Sequence, residues 1–393
     1  MSAAMRILYP VTWARLGRHA SQAQTAATAG AFARAGHEVT LLLPQRDRDP
    51  SLSAEEVRRW FAVQGDFRVL QRESRWQGDA VLRTALWLRQ VWRDPAVREA
   101  DVLYSRIPAM IGIGGFSPLP FVTDQYRPWP DVYPPIRPLV RGTAAQPNCL
   151  GYVIHSHYAA DSYLRAGVPR ERVLVAHNGF DPLGERLDKA TARTRLGLPA
   201  DSPIAVYAGR INRQKGLDTL LELADRRPEV LFLMVGSEGH GPIEEAAATR
   251  PNVRVEPWAT PEALPAWLFA ADVLLVPPSS DPLQRFGTCV LPLKLFSYLA
   301  AGRPILAPDA PDTRELLAHE RTALLVEPNK PEHAAAALDR LLDDRSLAAS
   351  LSANSLERAE GLSWDHRARR IAAWLESRLE KTGEDDHFAV EKR

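Results

Sequence analysis

Short runs of β-branched and apolar residues alternate with longer helical patterns along nearly the whole chain. They do so in two series, separated by a stretch with no strand pattern. Such alternation builds parallel sheets whose crossovers are helices, because consecutive parallel strands need a connection long enough to return along the sheet. The first series has strand patterns at Arg6–Pro10, Glu38–Leu43, Val102–Ser105, Phe121–Thr123, Tyr152–Ile154 and Val173–Ala176. An Ala-rich helix is expected from about Ala20 to Ala35, ended by Gly36 in the position where a left-handed backbone is favoured. The second series runs through Ile204–Ala208, Val230–Val235, Val253–Glu256, Val273–Val276, Pro304–Ala307 and Ala323–Val326.

Two series predict an α/β protein with two Rossmann-like, doubly wound parallel sheets facing each other across a cleft. A (β/α)₈ barrel is the competing fold, but its repeats would have to run through the strandless stretch His177–Pro203. The expected division is a first domain over residues 1–176, a connector over 177–202 and a second domain over 203–365. A final helix and tail over 366–393 would return to the first domain. That helix carries Ile371, Trp374, Leu375 and Leu379 on one face, and the charged tail after Lys381 is expected to fray.

At 393 residues the chain has room for two full cores. Its net charge of +1 hides an asymmetry, for residues 1–180 carry 22 basic side chains, all arginine, against 15 acidic ones. All six lysines lie beyond them. An acidic partner or membrane surface for the first half, or an Arg-rich composition without a target, fit equally. Two distant cysteines, Cys149 and Cys289, exclude a disulfide framework and fit a reducing cytoplasm. No signal-peptide pattern or run of about 20 apolar residues is present, so no membrane crossing is expected.

Two segments carry chemistry. In Val206–Ala224 (VYAGRINRQKGLDTLLELA) a strand ends in a glycine turn, and Lys215-Gly216 is expected to open a helix with Leu217, Leu220, Leu221 and Ala224 inward. Arg210 and Lys215 then lie at the carboxyl end of a strand and at a helix start, where open α/β sheets bind ligands and a diphosphate finds cations and amides. In Ser279–Pro308 a helix is expected to start near Pro292 and end at Ala301-Gly302. Its first amides, at Leu293 and Lys294, and the Lys294 charge would face an anion.

In this order and spacing the segments resemble the retaining glycosyltransferases of family 4, which share the GT-B fold. The matching pieces are RILYP, Gly36–Pro44, VLVAHNGFDP (Val173–Pro182), the GR…KG pair, Val235-Gly236 and PLKLFSYLAAGRPILA. The resemblance implies a metal-independent hexosyltransferase with no cofactor, using a nucleotide-sugar (UDP- or GDP-linked) as co-substrate in cell-envelope polysaccharide biosynthesis or on a small molecule. It gives Arg210 and Lys215 the neutralisation of the leaving diphosphate. It places Gly17, Arg18, Gly209, Gly216, Gly236, Thr288, Cys289, Leu293, Lys294 and Ser297 at the donor. Asp124, Tyr126, His155 and Asn178 become candidates for the acceptor side, with Asp181 near the interdomain crossover.

The family's usual Glu-x₇-Glu falls on Cys289 and Ser297, and Tyr126 stands where His is common. Ser297 can give a ribose only one uncharged hydroxyl. The cations, each worth roughly 4 kcal/mol at about 4 Å before desolvation costs, remain. Active transfer and a catalytically inactive partner subunit that binds nucleotide or glycan both stay open, with an epimerase behind them.

Other patterns are weaker. Asp47-Arg48-Asp49 resembles a metal-binding Asp-x-Asp but sits between Pro44 and Pro50 in an Arg-rich loop, which reads as solvated. His155 and His157 flank Ser156, a helix-capping pattern, and no metal is expected. Arg72–Arg98 interleaves arginines with Trp76, Trp87 and Trp92. Peripheral contact with the inner face of a membrane and packing on the first sheet both fit it, whereas nucleic acid does not.

Overall fold

The computed structural model describes residues 4–46, 48–78, 80–281 and 291–390, the last ten by their backbone. The chain divides into two compact units, Met1–Gly179 with Trp364–Arg393, and Phe180–Ser363.

The first unit is built on β1 (Arg6–Pro10), β2 (Glu38–Gln45), β3 (Arg68–Glu73), β4 (Val102–Ser105), β5 (Phe121–Gln125), β6 (Cys149–Ile154) and β7 (Val173–Val175). They form one sheet in the order β3-β2-β1-β4-β5-β6-β7, all pairings parallel. The second unit holds β8 (Ile204–Ala208), β9 (Leu231–Ser237), β10 (Val253–Pro257), β11 (Val273–Leu275), β12 (Ile305–Pro308) and β13 (Leu324–Val326). Their order, β10-β9-β8-β11-β12-β13, repeats the same topology. Two separate sheets replace the barrel alternative. In each, the order reverses at the first strand, so a crevice opens beside the carboxyl ends of β1 and β8.

The central strands are buried along their length, as parallel strands covered on both faces must be. The strand missed in the sequence is β3, an edge strand with charged ends (RVLQRE) and no fully buried residue. Its half-buried pattern lacks the apolar run that marks its neighbours.

The stretch 177–202, expected to be a connector, contains a helix, Lys189–Leu196, capped by the Asp188 carboxylate accepting from Thr191 N and closed by left-handed Gly197. Its Arg193, 3% exposed, donates to the Asp272 carboxylate and to the carbonyls of Ala200, Ser202 and Ala270. Residues 180–202 are thus an integral layer of the second unit.

The helix Trp364–Val390 belongs to the first unit and packs on Ala20–Arg34, with Ala368, Ile371, Ala372 and Leu375 buried. The Arg34 guanidinium donates to Asp365 at 2.7 Å. No proline interrupts 381–390, and the backbone stays helical to Val390, past the expected fraying point. Among the described residues no helix is long and apolar enough to cross a membrane.

Candidate functional site

In the second unit the site grows from the carboxyl ends of β8 and β9. Gly209 follows β8 with φ +146° and Gly236 lies near the end of β9 with φ +132°. The two backbones approach so closely that a Cβ on Gly236 would lie 2.3 Å from the Gly209 carbonyl oxygen. Glycine at both positions leaves the β8 loop open to a ligand. A Gly236→Ala variant is expected to lose about 1–3 kcal/mol of stability and to weaken nucleotide binding, since the β8 loop must move to admit the methyl. Urea unfolding and nucleotide titration of the same sample check both.

Two tyrosines fix the floor. The Tyr298 hydroxyl accepts from Ala208 N at 2.8 Å and donates to the Leu275 carbonyl at 3.3 Å, tying the ends of β8 and β11 together. Tyr207 donates to the Arg210 carbonyl at 2.9 Å, and its ring lies 3.6 Å below the Lys294 ammonium. Nothing in the local sequence distinguishes either tyrosine from an ordinary core aromatic.

Three cations converge on this floor. Lys215 has its pKa lowered by burial and then by Arg210, and Lys294 is pushed well down by burial and then by Lys215. Lys294 also lies against Gly209, where a Cβ would stand 2.9 Å from its Nζ. Arg210 faces the Glu238 carboxylate at 3.5 Å. Crowded, partly desolvated cations on a glycine-lined loop are arranged to receive a multiply charged anion.

The local helix geometry differs from expectation. Residues Arg213–Lys215 form a 3₁₀ turn, Gly216 is left-handed and the helix starts only at Asp218, so Lys215 projects from a turn before the helix. The left-handed glycine is what delays the start. Leu217, Leu220, Leu221 and Ala224 are buried as read. In the other segment the helix is Lys294–Ala301, with Leu293 at its N-cap and left-handed Gly302 closing it. Ser297 lies one turn after Lys294, half-buried. Thr288 and Cys289 lie outside the described residues.

In the first unit Asp124, at the carboxyl end of β5, is fully buried and held by three side chains. His155 donates Nε2–H to Oδ1 at 2.7 Å, while Arg367 at 2.9 Å and the Tyr104 hydroxyl at 2.5 Å donate to Oδ2. Burial alone would raise the Asp124 carboxyl; Arg367, then His155 and Arg106, hold it well below the usual range. Arg367 comes from the last helix, four residues before Ile371. Its place in that apolar stripe was the available signal for a buried cation. Asp124 and His155 are thus brought together inside the sheet edge. Tyr126 stands beside them, its ring 6.4 Å from His155 and under the Arg127 guanidinium at 5.5 Å. Asn178 follows β7, buried. Gly17 donates its N–H to Gln22 Oε1 at 2.8 Å, and Arg18 is exposed beside it.

His155 is neutral because burial lowers its pKa to about 4, against the pull of Asp124. The unfolded chain, with its histidine near 6.5, binds more protons between these values, so stability falls as pH drops through that window. A loss of the order of 3 kcal/mol from pH 7 to pH 4 is expected from this group, Asp124 adding its own loss only lower still. Urea unfolding across that range should show the slope flattened in His155→Asn.

Asp49 is spoken for: it accepts from Arg15 Nε, Arg46 N and Gln77 Nε2 at 2.9, 2.8 and 2.7 Å, while Asp47 lies outside the described residues. Ser156 caps the helix His157–Arg165, accepting from Ala159 N. Of the tryptophans, Trp87 is fully buried in the core under the first sheet, with Trp76 and Trp92 packed against it.

Known proteins share this plan. The model of the glycosyl transferases group 1 matches residues 188–358, and that of Glycosyltransferase Family 4 matches residues 22–182. Among curated proteins, the D-inositol 3-phosphate glycosyltransferase of Thermobispora bispora is 32% identical over 232 residues, covering 54% of this chain and 52% of that protein. Its counterpart in a Nocardioides species is 33% identical over 224 residues, 51% of this chain and 47% of that protein. The match thus spans about half the length of these relatives. Among solved structures, Anabaena HepE in complex with UDP-glucose superposes with TM-score 0.66 at 17% identity, covering 95% of this chain and all of that one. Sucrose-phosphate synthase from Thermosynechococcus elongatus gives 0.70 at 18%, covering 94% and 98%. The fold is therefore GT-B. With the two models matched in tandem, one in each unit, the chain belongs to the family 4 glycosyltransferases.

Proposed function

We propose that this chain transfers a sugar from a UDP- or GDP-linked donor, with retention of configuration and without a metal, to a small hydroxylated acceptor. A lipid-linked or envelope glycan is the wider acceptor class. The carrying observation is the convergence of Arg210, Lys215 and Lys294 on the glycine-lined end of β8. Departure of a nucleoside diphosphate places growing negative charge on its phosphate oxygens, and preorganised cations stabilise that charge more than the ground state. Three cations supply what a divalent ion supplies elsewhere. Ser297, one turn beyond Lys294, offers its hydroxyl to the ribose, and Leu293 and Lys294 offer helix-start amides. The name of the relatives, D-inositol 3-phosphate glycosyltransferase, supports a small polyol as acceptor. The HepE structure, a complex with UDP-glucose, supports a uridine donor.

A thermal-shift panel of UDP-, GDP-, ADP- and dTDP-sugars tests the donor. A specific donor at a hundredfold excess over its Kd stabilises by about 2.7 kcal/mol through mass action. Transfer measured with and without EDTA then tests metal independence. No shift with any nucleotide-sugar would remove the proposal.

A further inference from the structure

Lys294 brings its charge to the end of β8 without a carboxylate to balance it. Among the described residues no acidic group bears on its ammonium. Burial, and then Lys215 from the turn Arg213–Lys215, push its pKa well down, and Arg210 bears on Lys215 in turn. What faces the ammonium instead is the ring of Tyr207, the last residue but one of β8, with its centroid 3.6 Å from Nζ. An aromatic face is the negative side of the ring, and a cation over it gains most where water is scarce.

Tyr207 reaches the neighbouring cation as well. The side chain is fully buried, and its hydroxyl donates to the Arg210 carbonyl at 2.9 Å. Burial, and then Tyr298, hold that hydroxyl above its usual range, so it stays protonated and able to donate. Gly209 lies where the two contacts meet, for a Cβ there would stand 2.9 Å from Lys294 Nζ and 3.1 Å from the Tyr207 hydroxyl oxygen. One side chain thus supports two of the three cations, Lys294 through its ring and Arg210 through the backbone. A carboxylate in the same place would also keep Lys294 charged, but it would repel an incoming diphosphate. A ring adds no net negative charge, so the positive field of the three cations stays whole for the anion.

We propose that Tyr207 is a positioning residue for transfer: its ring keeps Lys294 charged over the glycine-lined loop, and its hydroxyl holds the Arg210 backbone beside it. The proposal rests on reading these cations as the diphosphate site.

The full chain is made with isotope-labelled lysine and titrated by NMR. Its six lysines give few side-chain signals, and that of Lys294 is the one missing from Lys294→Met. Tyr207→Phe keeps a ring and should leave the Lys294 midpoint close to that of the wild type. Tyr207→trifluorophenylalanine keeps the shape but draws electrons from the face. It should lower the midpoint by about one pH unit relative to Tyr207→Phe, equivalent to about 1.4 kcal/mol. The near-constant ring size protects the core, and thermal midpoints of both variants check the fold.

Calorimetry with UDP and with GDP then reads the consequence. Lys294 is charged below its midpoint, so the two variants should bind nucleotide alike at low pH. Above the Tyr207→Phe midpoint the fluorinated variant should bind about tenfold more weakly. Tyr207→Phe itself should bind roughly fivefold more weakly than the wild type at every pH, through the lost hold on Arg210. A Lys294 midpoint unmoved by fluorination overturns the proposal, and so does a nucleotide affinity that fails to follow the midpoint. The lysine titration needs no ligand. Failure of both UDP and GDP to bind the wild type would strike the donor reading instead, so the two failures are told apart.

Discussion

Lys215→Ala is expected to cut sugar transfer by roughly 100- to 1,000-fold while leaving the thermal midpoint at or slightly above that of the wild type. The asymmetry follows from where the charge sits. Lys215 is desolvated and repelled by Arg210, and it presses on Lys294 in turn, so removing it relieves the empty protein of electrostatic strain. The same charge counts in full only when a diphosphate is leaving. Transfer assays and thermal unfolding of the same preparation separate the two effects. Unchanged turnover in the variant would sink the role assigned to Lys215, whatever the donor.

Arg367→Met should have the largest effect on stability, a loss of about 3–5 kcal/mol, because it takes from the buried Asp124 carboxylate the guanidinium that hydrogen-bonds it and leaves it hydrogen-bonded to His155 and Tyr104. Asp124→Asn in the same chain should recover much of that loss, since an amide has no charge to strand. Urea unfolding of the two single variants and the double variant measures the coupling. Additive losses would mean that the ion pair does not hold the first unit together.

Most of the fold was legible because parallel strands buried on both faces are unambiguous apolar runs, and their alternation with helices allows few topologies. The edge strand β3 escaped because an edge needs no such run, and Lys189–Leu196 escaped because its most telling residue, Arg193, is a buried cation. At the site, Arg210, Lys215 and Lys294 could be read from spacing, as a cation after a strand and a glycine turn has few structural reasons to be there. Tyr207 and Tyr298 could not, because a tyrosine whose hydroxyl pins a backbone looks in sequence like any core aromatic. The Asp124, His155 and Arg367 cluster needed contacts across up to 243 positions, beyond the reach of local pattern.

The insertion of Arg367 into the first unit also sets an order of assembly. A ribosome completes Phe180–Ser363 before it makes the helix that carries Arg367. Until then Asp124 lacks the Arg367 guanidinium, and the face of Ala20–Arg34 that this helix covers stays bare. The unit encoded second can close while the unit encoded first is still waiting, reversing the usual N-to-C sequence of domain folding during synthesis. A nascent chain stalled after Ser363 would therefore present one finished unit and one exposed apolar helix face, the kind of surface that chaperones recognise.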